Sequence, residues 1–327
     1  MTVESQTVWM PQYEALTQSV GLADVSSRSR VELIGADRVS FLHSFCTADI
    51  KGLQVGQGCE AFLTNHQGKT AGHGFVFAQT ESLLFETTPN QSPKVIGHWD
   101  RFVISDRVEF LDRTAETGEL LLAGPRAAEL LERVAGVSPP ATLSAVSGSV
   151  IGINVVIRGV PLLGESTFLM QSARDLLPAV QQACLDAGAT LCGEEALNAA
   201  RLEAGTPLYG LDITDENLPQ EIGRNTQAIS FKKGCYLGQE TVARIDAIGH
   251  VNRILVGVRF PTAAAEVPSA AAELSIDGKV VGHVTSATWS PRLGMPLALA
   301  LVRRTHSAVA TSLTSPLGTA ETVMLPC

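Results

Sequence analysis

The character of the chain changes at about residue 250, and this change constrains the fold more than any other feature. Before it, stretches with helical and strand periodicity alternate; after it, only short apolar runs remain, separated by Pro and Gly. Such runs are typical of a small barrel, in which closure removes the unpaired strand edges. At 327 residues the chain also exceeds what one ordinary hydrophobic core holds together. We therefore predict an α+β part followed by a C-terminal β-barrel over 250–327.

Local periodicity before residue 250 supports this division, because helical and strand signals follow one another without a repeat. Helices are predicted over 13–20, 37–45, 94–102, 126–134, 175–187 and 194–204. Strands are predicted over 30–34, 61–64, 73–78, 83–87, 107–111 and 120–123, and in the barrel over 255–260, 273–276, 280–285 and 297–302. A tight turn at 65–69, with Gly68 as its turn residue, joins two of these strands.

Composition excludes several functional classes. A formal net charge of -9 argues against direct nucleic-acid binding, which needs clustered Lys and Arg to release counterions. No apolar run reaches membrane-spanning length, and residues 1–10 lack a basic stretch followed by an apolar one, so we expect neither a membrane span nor a secretory signal. The six cysteines form no Cys-x-x-Cys pair and the seven histidines show no metal-ligand spacing. We expect a cytoplasmic protein without a metal site.

The strongest functional signal is the stretch 233–240, which reads Lys-Gly-Cys-Tyr-Leu-Gly-Gln-Glu. Cys235 follows Lys232 and Lys233, and the residues after Gly238 have helical character. A helix N-terminus and two nearby ammonium groups stabilise the thiolate form of a cysteine, and the thiolate is a better nucleophile and soft-metal ligand than the thiol. The alternative is a small buried hydrophobe, as free cysteine usually is. We predict a functional role for Cys235 and the packing role for the other five cysteines.

Three other side chains are candidates for ligand binding, although each has an ordinary structural interpretation. Glu203 lies in the last turn of its predicted helix, where the macrodipole disfavours a carboxylate, and it could bind the guanidine-like edge of a pterin. As a single residue, it is more simply a solvated surface glutamate. Tyr209 could stack on a flat ligand or fill the core. Asn65 fits a polar hairpin tip. Arg201 points to another helix face than Glu203, so no ion pair between them is expected.

Several segments together resemble a known family over nearly the whole chain. They include Phe-Leu-Thr-Asn-His-Gln-Gly-Lys at 62–69, Arg-Leu-Glu-Ala-Gly at 201–205, the stretch 233–240 with Arg244, and Gly-His-Val-Thr-Ser at 282–286. The chain resembles YgfZ-type folate-binding proteins, relatives of the glycine-cleavage T-protein (aminomethyltransferase). The elements at 201–205 and 282–286 are shared by the superfamily, whereas the stretch 233–240 indicates the YgfZ branch.

The resemblance implies a three-lobed ring with tetrahydrofolate or another reduced folate in its central opening. It implies two interleaved α+β subdomains, 1–48 with 118–200 and 49–117 with 201–249, followed by the barrel. The pterin would be held by Glu203. The predicted folate-binding residues are Glu203, Tyr209, Arg244, Gln239, Glu240 and Asn65, and the predicted catalytic residues are Cys235 and Lys233.

Three functional hypotheses follow from the sequence. The first is a folate-binding accessory protein whose Cys235 supports iron-sulfur cluster assembly or repair in client enzymes, including those of tRNA thiomethylation; its partners would be a reduced folate and iron-sulfur client or assembly proteins. The second is a tetrahydrofolate-dependent aminomethyl or methyl transferase. The third is a folate-binding or interaction module in which Cys235 only packs.

Overall fold

The computed structural model describes residues 3–260 and 266–327, and within them the strands form three units. These are a six-stranded sheet, a five-stranded sheet and a closed six-stranded barrel. The predicted α+β class with a C-terminal β-barrel is confirmed. No described helix has both the length and the apolar character that crossing a membrane requires.

The bounds of the elements are as follows, in chain order. The strands are β1 (Gly21–Asp24), β2 (Arg28–Ile34), β3 (Gly58–Thr64), β4 (Thr70–Ala78), β5 (Ser82–Pro89), β6 (Glu109–Asp112), β7 (Thr117–Ala123), β8 (Ala145–Val150), β9 (Ile153–Gly159), β10 (Thr167–Ala173), β11 (Thr190–Leu191), β12 (Arg253–Arg259), β13 (Glu273–Ile276), β14 (Lys279–Ser290), β15 (Met295–Arg303), β16 (Ser312–Ser315) and β17 (Gly318–Val323). The helices are α1 (Val3–Gln18), α2 (Arg38–Phe45), α3 (Ser92–Asp100), α4 (Ala127–Ala135), α5 (Leu177–Asp186), α6 (Glu194–Glu203), α7 (Asn225–Ala228) and α8 (Gln239–Ile248), with 3-10 turns at Pro219–Ile222 and Arg304–His306.

The six-stranded sheet has the order β11-β1-β7-β10-β9-β8 and is covered by helices on both faces. The inner strand β7 explains why both faces need cover: successive side chains of a strand point to opposite faces, and β7 carries apolar side chains on both. Leu120 and Leu122 belong to a core formed with α4 and α5, whereas Leu121 and Ala123 belong to a second core formed with α1 and α6. Helix α6 therefore lies against this sheet, and it brings its polar residues towards the other units.

The five-stranded sheet has the order β3-β4-β5-β2-β6 and packs against α2 and α3. Phe41 and Leu42 of α2 and Trp99 of α3 are buried with Val31 and Phe85 of the sheet. Strand β2 and helix α2 thus belong to this unit, although the family resemblance implies that all of 1–48 lies in the first subdomain. The structure moves that boundary to the turn between β1 and β2, because β2 pairs with β5 and β6 rather than with β1.

The barrel has the order β12-β15-β14-β13-β16-β17 and encloses its own core, which includes Val258, Val284, Ala300 and Leu313. The pairing of β14 with β15 shifts register between Val284 and Ser286. Such a bulge inserts one extra residue, here Thr285, and re-aims the neighbouring side chains. The barrel therefore presents two consecutive hydroxyl groups, from Thr285 and Ser286, to the rest of the molecule.

Candidate functional site

A cavity of about 860 Å³ lies between the six-stranded sheet and the β2 and β5 ends of the five-stranded sheet, and we call it the inter-sheet cavity. This volume lies within the range of small-molecule sites, about 300–1,000 Å³. Much of the wall is apolar, with Leu121, Leu162 and Leu197 among its side chains. Two buried guanidinium groups, from Arg28 and Arg201, also line it. An apolar cavity with a few charged donors suits a flat, partly polar organic ligand.

Arg201 is held firmly but is not fully paired. Its Nη1 donates to Asp212 Oδ2 at 2.9 Å and to the Thr206 carbonyl at 3.2 Å, and its Nε donates to Asn198 Oδ1 at 2.8 Å. Its Nη2 is buried and has no hydrogen-bond partner in the described part of the chain. Buried polar groups are nearly always paired in native proteins, so an unpaired donor in a residue of the cavity wall is a candidate for contact with a ligand or with water.

Asp212 joins the six-stranded unit, the loop after α6 and the barrel. Besides Arg201, it accepts hydrogen bonds from the Leu208 amide at 3.0 Å, Thr285 Oγ1 at 2.6 Å and Ser286 Oγ at 2.5 Å. The bulge of β14 is what aims both hydroxyl groups at one carboxylate. The sequence elements at 201–205 and 282–286 therefore meet through a residue that belongs to neither.

Arg28 is positioned by a buried ion cluster that links the two sheets. Its Nε donates to Glu86 Oε1 at 2.6 Å, and Arg158 contacts both Glu86 and Glu119. Burial would raise the pKa of the Glu86 carboxyl, but the neighbouring arginines outweigh it and lower that pKa, whereas burial and the charge of Glu86 raise the pKa of Glu119 to about 7. The cluster fixes the guanidinium of Arg28 at the wall of the inter-sheet cavity.

Glu203, the predicted pterin ligand, lies outside this cavity wall. Its Oε2 accepts a hydrogen bond from the Tyr13 hydroxyl at 2.5 Å, and its Oε1 accepts from Ser290 Oγ at 2.5 Å and from the Arg292 amide at 3.2 Å. The carboxylate is buried and links α1, α6 and the barrel. As expected, Glu203 and Arg201 have different partners. A pterin contact to Glu203 stays a prediction, and Oε2, which accepts one hydrogen bond here, is the oxygen with capacity left.

Tyr209 fills the core beside the inter-sheet cavity. Its hydroxyl donates to Asp215 Oδ1 at 2.6 Å, and the ammonium of Lys94 lies 4.9 Å from the ring centroid and 2.5 Å from the same carboxylate oxygen. Burial would raise the pKa of Asp215, but hydrogen bonds from Lys94 and Tyr209 outweigh it and lower that pKa. The ring faces a small neighbouring cavity lined by Glu60, His73 and Arg224. Stacking of Tyr209 on a ligand stays a prediction.

Asn65 organises the predicted hairpin turn. Its Oδ1 accepts hydrogen bonds from the amides of Gln67 and Lys69, each at 3.0 Å, and Gly68 has a φ of +77°, a conformation that favours glycine. The turn packs closely on the stretch 233–240: a Cβ on Gly238 would lie 2.3 Å from the Asn65 carbonyl oxygen. Two stretches that the sequence singles out are therefore in contact, but neither Asn65 nor Gly238 lines the inter-sheet cavity.

Lys233 is buried and holds the stretch 233–240 against the end of α2. Its Nζ donates to the carbonyls of Cys46 at 2.8 Å and Ala48 at 2.7 Å, and also to that of His43. A lysine at this place suits the helix C-terminus, whose last carbonyls lack partners within the helix. Burial lowers the pKa of the Lys233 ammonium. The structure thus shows an architectural use of Lys233, and a catalytic one stays a prediction.

Cys235 is exposed, unlike the other five cysteines, which are buried or half-buried. Helix α8 begins four residues later, at Gln239. Burial raises the pKa of the Cys46 thiol to about 11 and that of Cys184 to about 11, which makes these thiols poor nucleophiles. An exposed thiol does not fit the hypothesis that Cys235 only packs.

Gln239, Glu240 and Arg244 lie on the first turns of α8, away from the inter-sheet cavity. Glu240 and Arg244 are exposed, and Gln239 is half-buried. Within the described residues none of the three side chains makes a hydrogen bond or ion pair, and the same part of the chain contains no cluster of His, Cys, Asp or Glu suited to a metal ion. Their predicted contact with folate therefore stays a prediction.

Comparison with known proteins identifies the family. The GCVT N-terminal domain matches residues 4–233, and the glycine cleavage T-protein C-terminal barrel domain matches residues 253–324. The chain belongs to the glycine cleavage T-protein family. An aminomethyltransferase from Symbiobacterium thermophilum is 30% identical over 95% of this chain and 85% of its own length. A putative chloroplastic transferase from Arabidopsis thaliana is 25% identical over 92% of this chain and 69% of its own length.

A solved T-protein structure agrees with the architecture. The crystal structure of glycine cleavage system aminomethyltransferase T from Bartonella henselae superimposes with a TM-score of 0.87 at 20% identity, covering 97% of this chain and 88% of the other. This likeness shows the fold. The T-protein part of the sequence resemblance is thus confirmed, whereas the YgfZ branch stays a prediction.

In this member of the T-protein family, the cavity is built by residues that the sequence did not single out for it. Arg201 belongs to the Arg-Leu-Glu-Ala-Gly stretch at 201–205, which indicates the fold rather than a ligand site. No sequence pattern singles out Asp212, Asn198 or Arg28. Conversely, Asn65, Lys233 and Gln239 are gathered at the stretch 233–240 rather than at the cavity. None of the predicted site residues therefore lines the inter-sheet cavity, and the side chains of Glu203 and Tyr209 form their hydrogen bonds outside the stretch 233–240 as well.

Proposed function

We propose that this T-protein family member binds a reduced folate in the inter-sheet cavity. The observation that carries the proposal is the buried Nη2 of Arg201, which lacks a partner in the described residues and belongs to a side chain on the cavity wall. The cavity also has the volume and the apolar walls that a flat heterocycle needs. The family resemblance supports tetrahydrofolate as the ligand.

The residues present fit such a ligand. Arg201 and Asn198 would bind its polar edge, and Leu121, Leu162 and Leu197 would exclude water from its rings. Bound tetrahydrofolate would supply nitrogen atoms that carry one-carbon groups. Asp212 and its hydroxyl donors would keep the guanidinium of Arg201 in place. This preorganisation matters, because a donor that is already fixed loses little entropy on binding.

A matched pair of variants tests the location of the folate site. Leu211 lines the inter-sheet cavity and is 44% exposed, whereas Leu176 lies elsewhere and is 43% exposed. We expect Leu211→Trp to weaken tetrahydrofolate binding about tenfold, which corresponds to about 1.4 kcal/mol, by narrowing the cavity. Leu176→Trp should bind as the wild type does. Anaerobic calorimetric titration measures both, and equal affinities for the two variants would place the folate elsewhere.

For the use of the bound folate, we propose that an aminomethyl or methyl group is transferred to it. Support comes from the family and from relatives named aminomethyltransferases. Anaerobic formation of methylenetetrahydrofolate from candidate amines tests this activity. We expect turnover that requires both the amine and tetrahydrofolate. The absence of turnover by a folate-saturated protein would contradict the transferase role while leaving the binding proposal intact.

A second candidate function is favoured by the position of Cys235. Its thiol is exposed on a segment that Lys233 holds in place, and the sequence around it resembles the YgfZ branch. Thiolates suit iron-sulfur chemistry and thiol exchange. We propose, as the alternative, that the protein supports iron-sulfur cluster assembly or repair in client enzymes, including those of tRNA thiomethylation. The test is iron-sulfur enzyme activity in deletion cells complemented with wild type or Cys235→Ser; equal rescue would contradict it.

A further inference from the structure

A second cavity, of about 210 Å³, lies between the hairpin turn after β3, helix α3 and the segment around Asp215. We call it the hairpin cavity. It shares no lining residue with the inter-sheet cavity. Its small volume suits a small ligand rather than a folate-sized one. The test of this cavity is therefore independent of the proposed folate site.

The hairpin cavity contains hydrogen-bond donors that the protein leaves unused. Thr70 is fully buried, and its backbone is fixed by a hydrogen bond from its amide to the Asn217 carbonyl at 2.8 Å. Its hydroxyl nevertheless has no hydrogen-bond partner within the described chain. Nε2 of His98 lacks a well-aligned partner there too, although the imidazole lies near the Thr64 backbone. Both residues line the cavity. Unpaired buried groups are uncommon in native proteins, and those of residues that line a cavity are candidates for contact with a ligand or with water.

Positive charge surrounds these donors. Lys94, His98 and Arg101 follow one another at helical spacing, so they lie on one face of α3 and its C-terminal cap. Burial lowers the pKa of His98, so the imidazole contributes no charge near neutral pH, and the charge comes from Lys94 and Arg101. The carboxylate in the lining is that of Asp215, which Lys94 and Tyr209 already engage. Arg101 forms no ion pair with any described residue.

We propose that the hairpin cavity binds a small oxyanion, namely the phosphate or the carboxylate group of a small metabolite. The Thr70 hydroxyl would donate to its oxygens from the buried end, and so would the His98 Nε2 in the tautomer that carries the proton on this nitrogen. Arg101 and Lys94 would supply the charge from the rim, and the fork of Arg101 matches the geometry of both oxyanions. Asp215 faces the ligand as well, and its engagement by Lys94 keeps the lining net positive.

Titration of the full chain with inorganic phosphate and with acetate tests this site. We expect saturable binding of at least one anion. Tighter binding of phosphate would identify a phosphate ester as the natural ligand class, and tighter binding of acetate would identify a carboxylate. Absence of saturable binding of either anion well above millimolar concentration would overturn the proposal.

Two variants and one control locate the anion. Arg101→Gln should weaken binding about tenfold, because it removes a charge-assisted donor, and Thr70→Val should weaken it several-fold with little change in shape. Arg107→Gln is the matched control, since Arg107 is an exposed arginine of the same unit that does not line the cavity. Near-ultraviolet circular dichroism checks that each variant folds. Equal affinities for wild type, Arg101→Gln and Arg107→Gln would show that the anion binds elsewhere and would overturn the assignment.

Discussion

Two buried cations, Arg201 and Lys233, show how differently this molecule uses the same kind of side chain. Lys233 donates to three backbone carbonyls and secures the stretch 233–240 against α2. Arg201 donates to Asp212, Asn198 and Thr206 but keeps one buried nitrogen without a partner in the described residues. The first arrangement completes the architecture, whereas the second leaves binding capacity at a cavity. Charge burial alone does not mark a ligand site, and the proposed folate site depends on the unused donor beside the cavity.

The largest effect is expected when Arg201 is removed. Arg201→Met would leave the buried carboxylate of Asp212 without its cation, and breaking a buried pair in this way costs about 3–5 kcal/mol. Urea unfolding followed by circular dichroism measures the free energy of unfolding. The double variant Arg201→Met with Asp212→Leu is the control and should recover part of the loss. A change below about 1 kcal/mol in the single variant would show that Asp212 does not depend on Arg201.

Glu60 provides a third buried charge for comparison, because it is an anion that Arg224 and His73 pair with. Burial would raise its pKa, but hydrogen bonds from Arg224 and His73 outweigh it and lower the pKa from 4.5 to about 2. A depressed folded-state pKa gives stability that is present above about pH 4.5 and is lost as the pH falls towards about 2. We expect wild type to lose about 3 kcal/mol more than Glu60→Gln over this window. Urea unfolding of both proteins at several pH values measures this difference in the free energy of unfolding. The same loss of stability in both proteins on acidification would contradict the role of Glu60.

Lys233→Met is expected to cost less than Arg201→Met. It leaves three carbonyls without a donor but strands no buried charge, so the loss should be about 1–3 kcal/mol. Folate affinity should stay unchanged, because Lys233 does not line the inter-sheet cavity. Urea unfolding and folate titration on the same sample measure both quantities. A larger loss than in Arg201→Met would reverse the contrast between the two cations.

The smallest change in stability is expected for Cys235→Ser. The side chain is exposed, so the free energy of unfolding should change by less than about 0.5 kcal/mol. Thiol reactivity should change completely: the native wild type should react quickly at one cysteine, and Cys235→Ser should lack this fast phase. A chromogenic disulfide reagent measures the phase. Cys192→Ser is the control and should keep it, since Cys192 is buried. Loss of the fast phase in Cys192→Ser would show that the fast phase comes from Cys192 and would contradict its assignment to Cys235.

The sequence predicts elements well where the signal is local. Strand β13 was predicted over 273–276 and is observed at Glu273–Ile276, and the helix predicted over 37–45 is observed at Arg38–Phe45. It missed β1, because the strand character of β1 comes from its distant partners β7 and β11. It also missed β8, whose Ser and Gly residues give a weak strand signal although its partner β9 follows directly in the chain. The predicted boundary at residue 48 differs because β2 joins strands that follow it.

The site shows the same limit more sharply. Glu203 and Tyr13 are 190 positions apart, and so are Lys233 and His43, whose carbonyl it binds. Sequence spacing cannot indicate that the carboxylate of Glu203 accepts hydrogen bonds from distant parts of the protein. It does single out Cys235, whose flanking Lys and Gly residues are local. The role of Arg201 cannot be predicted from the sequence, because it depends on contacts among α6, the loop that carries Asp212 and the bulge of the barrel.

A crystal structure of the protein with tetrahydrofolate, prepared anaerobically, would show directly where the folate binds. We predict folate in the inter-sheet cavity with a hydrogen bond from Nη2 of Arg201, and with the Glu203 carboxylate still bound to Tyr13 and Ser290. Folate bound through Glu203 or beside Cys235, with the inter-sheet cavity holding only water, would contradict this account.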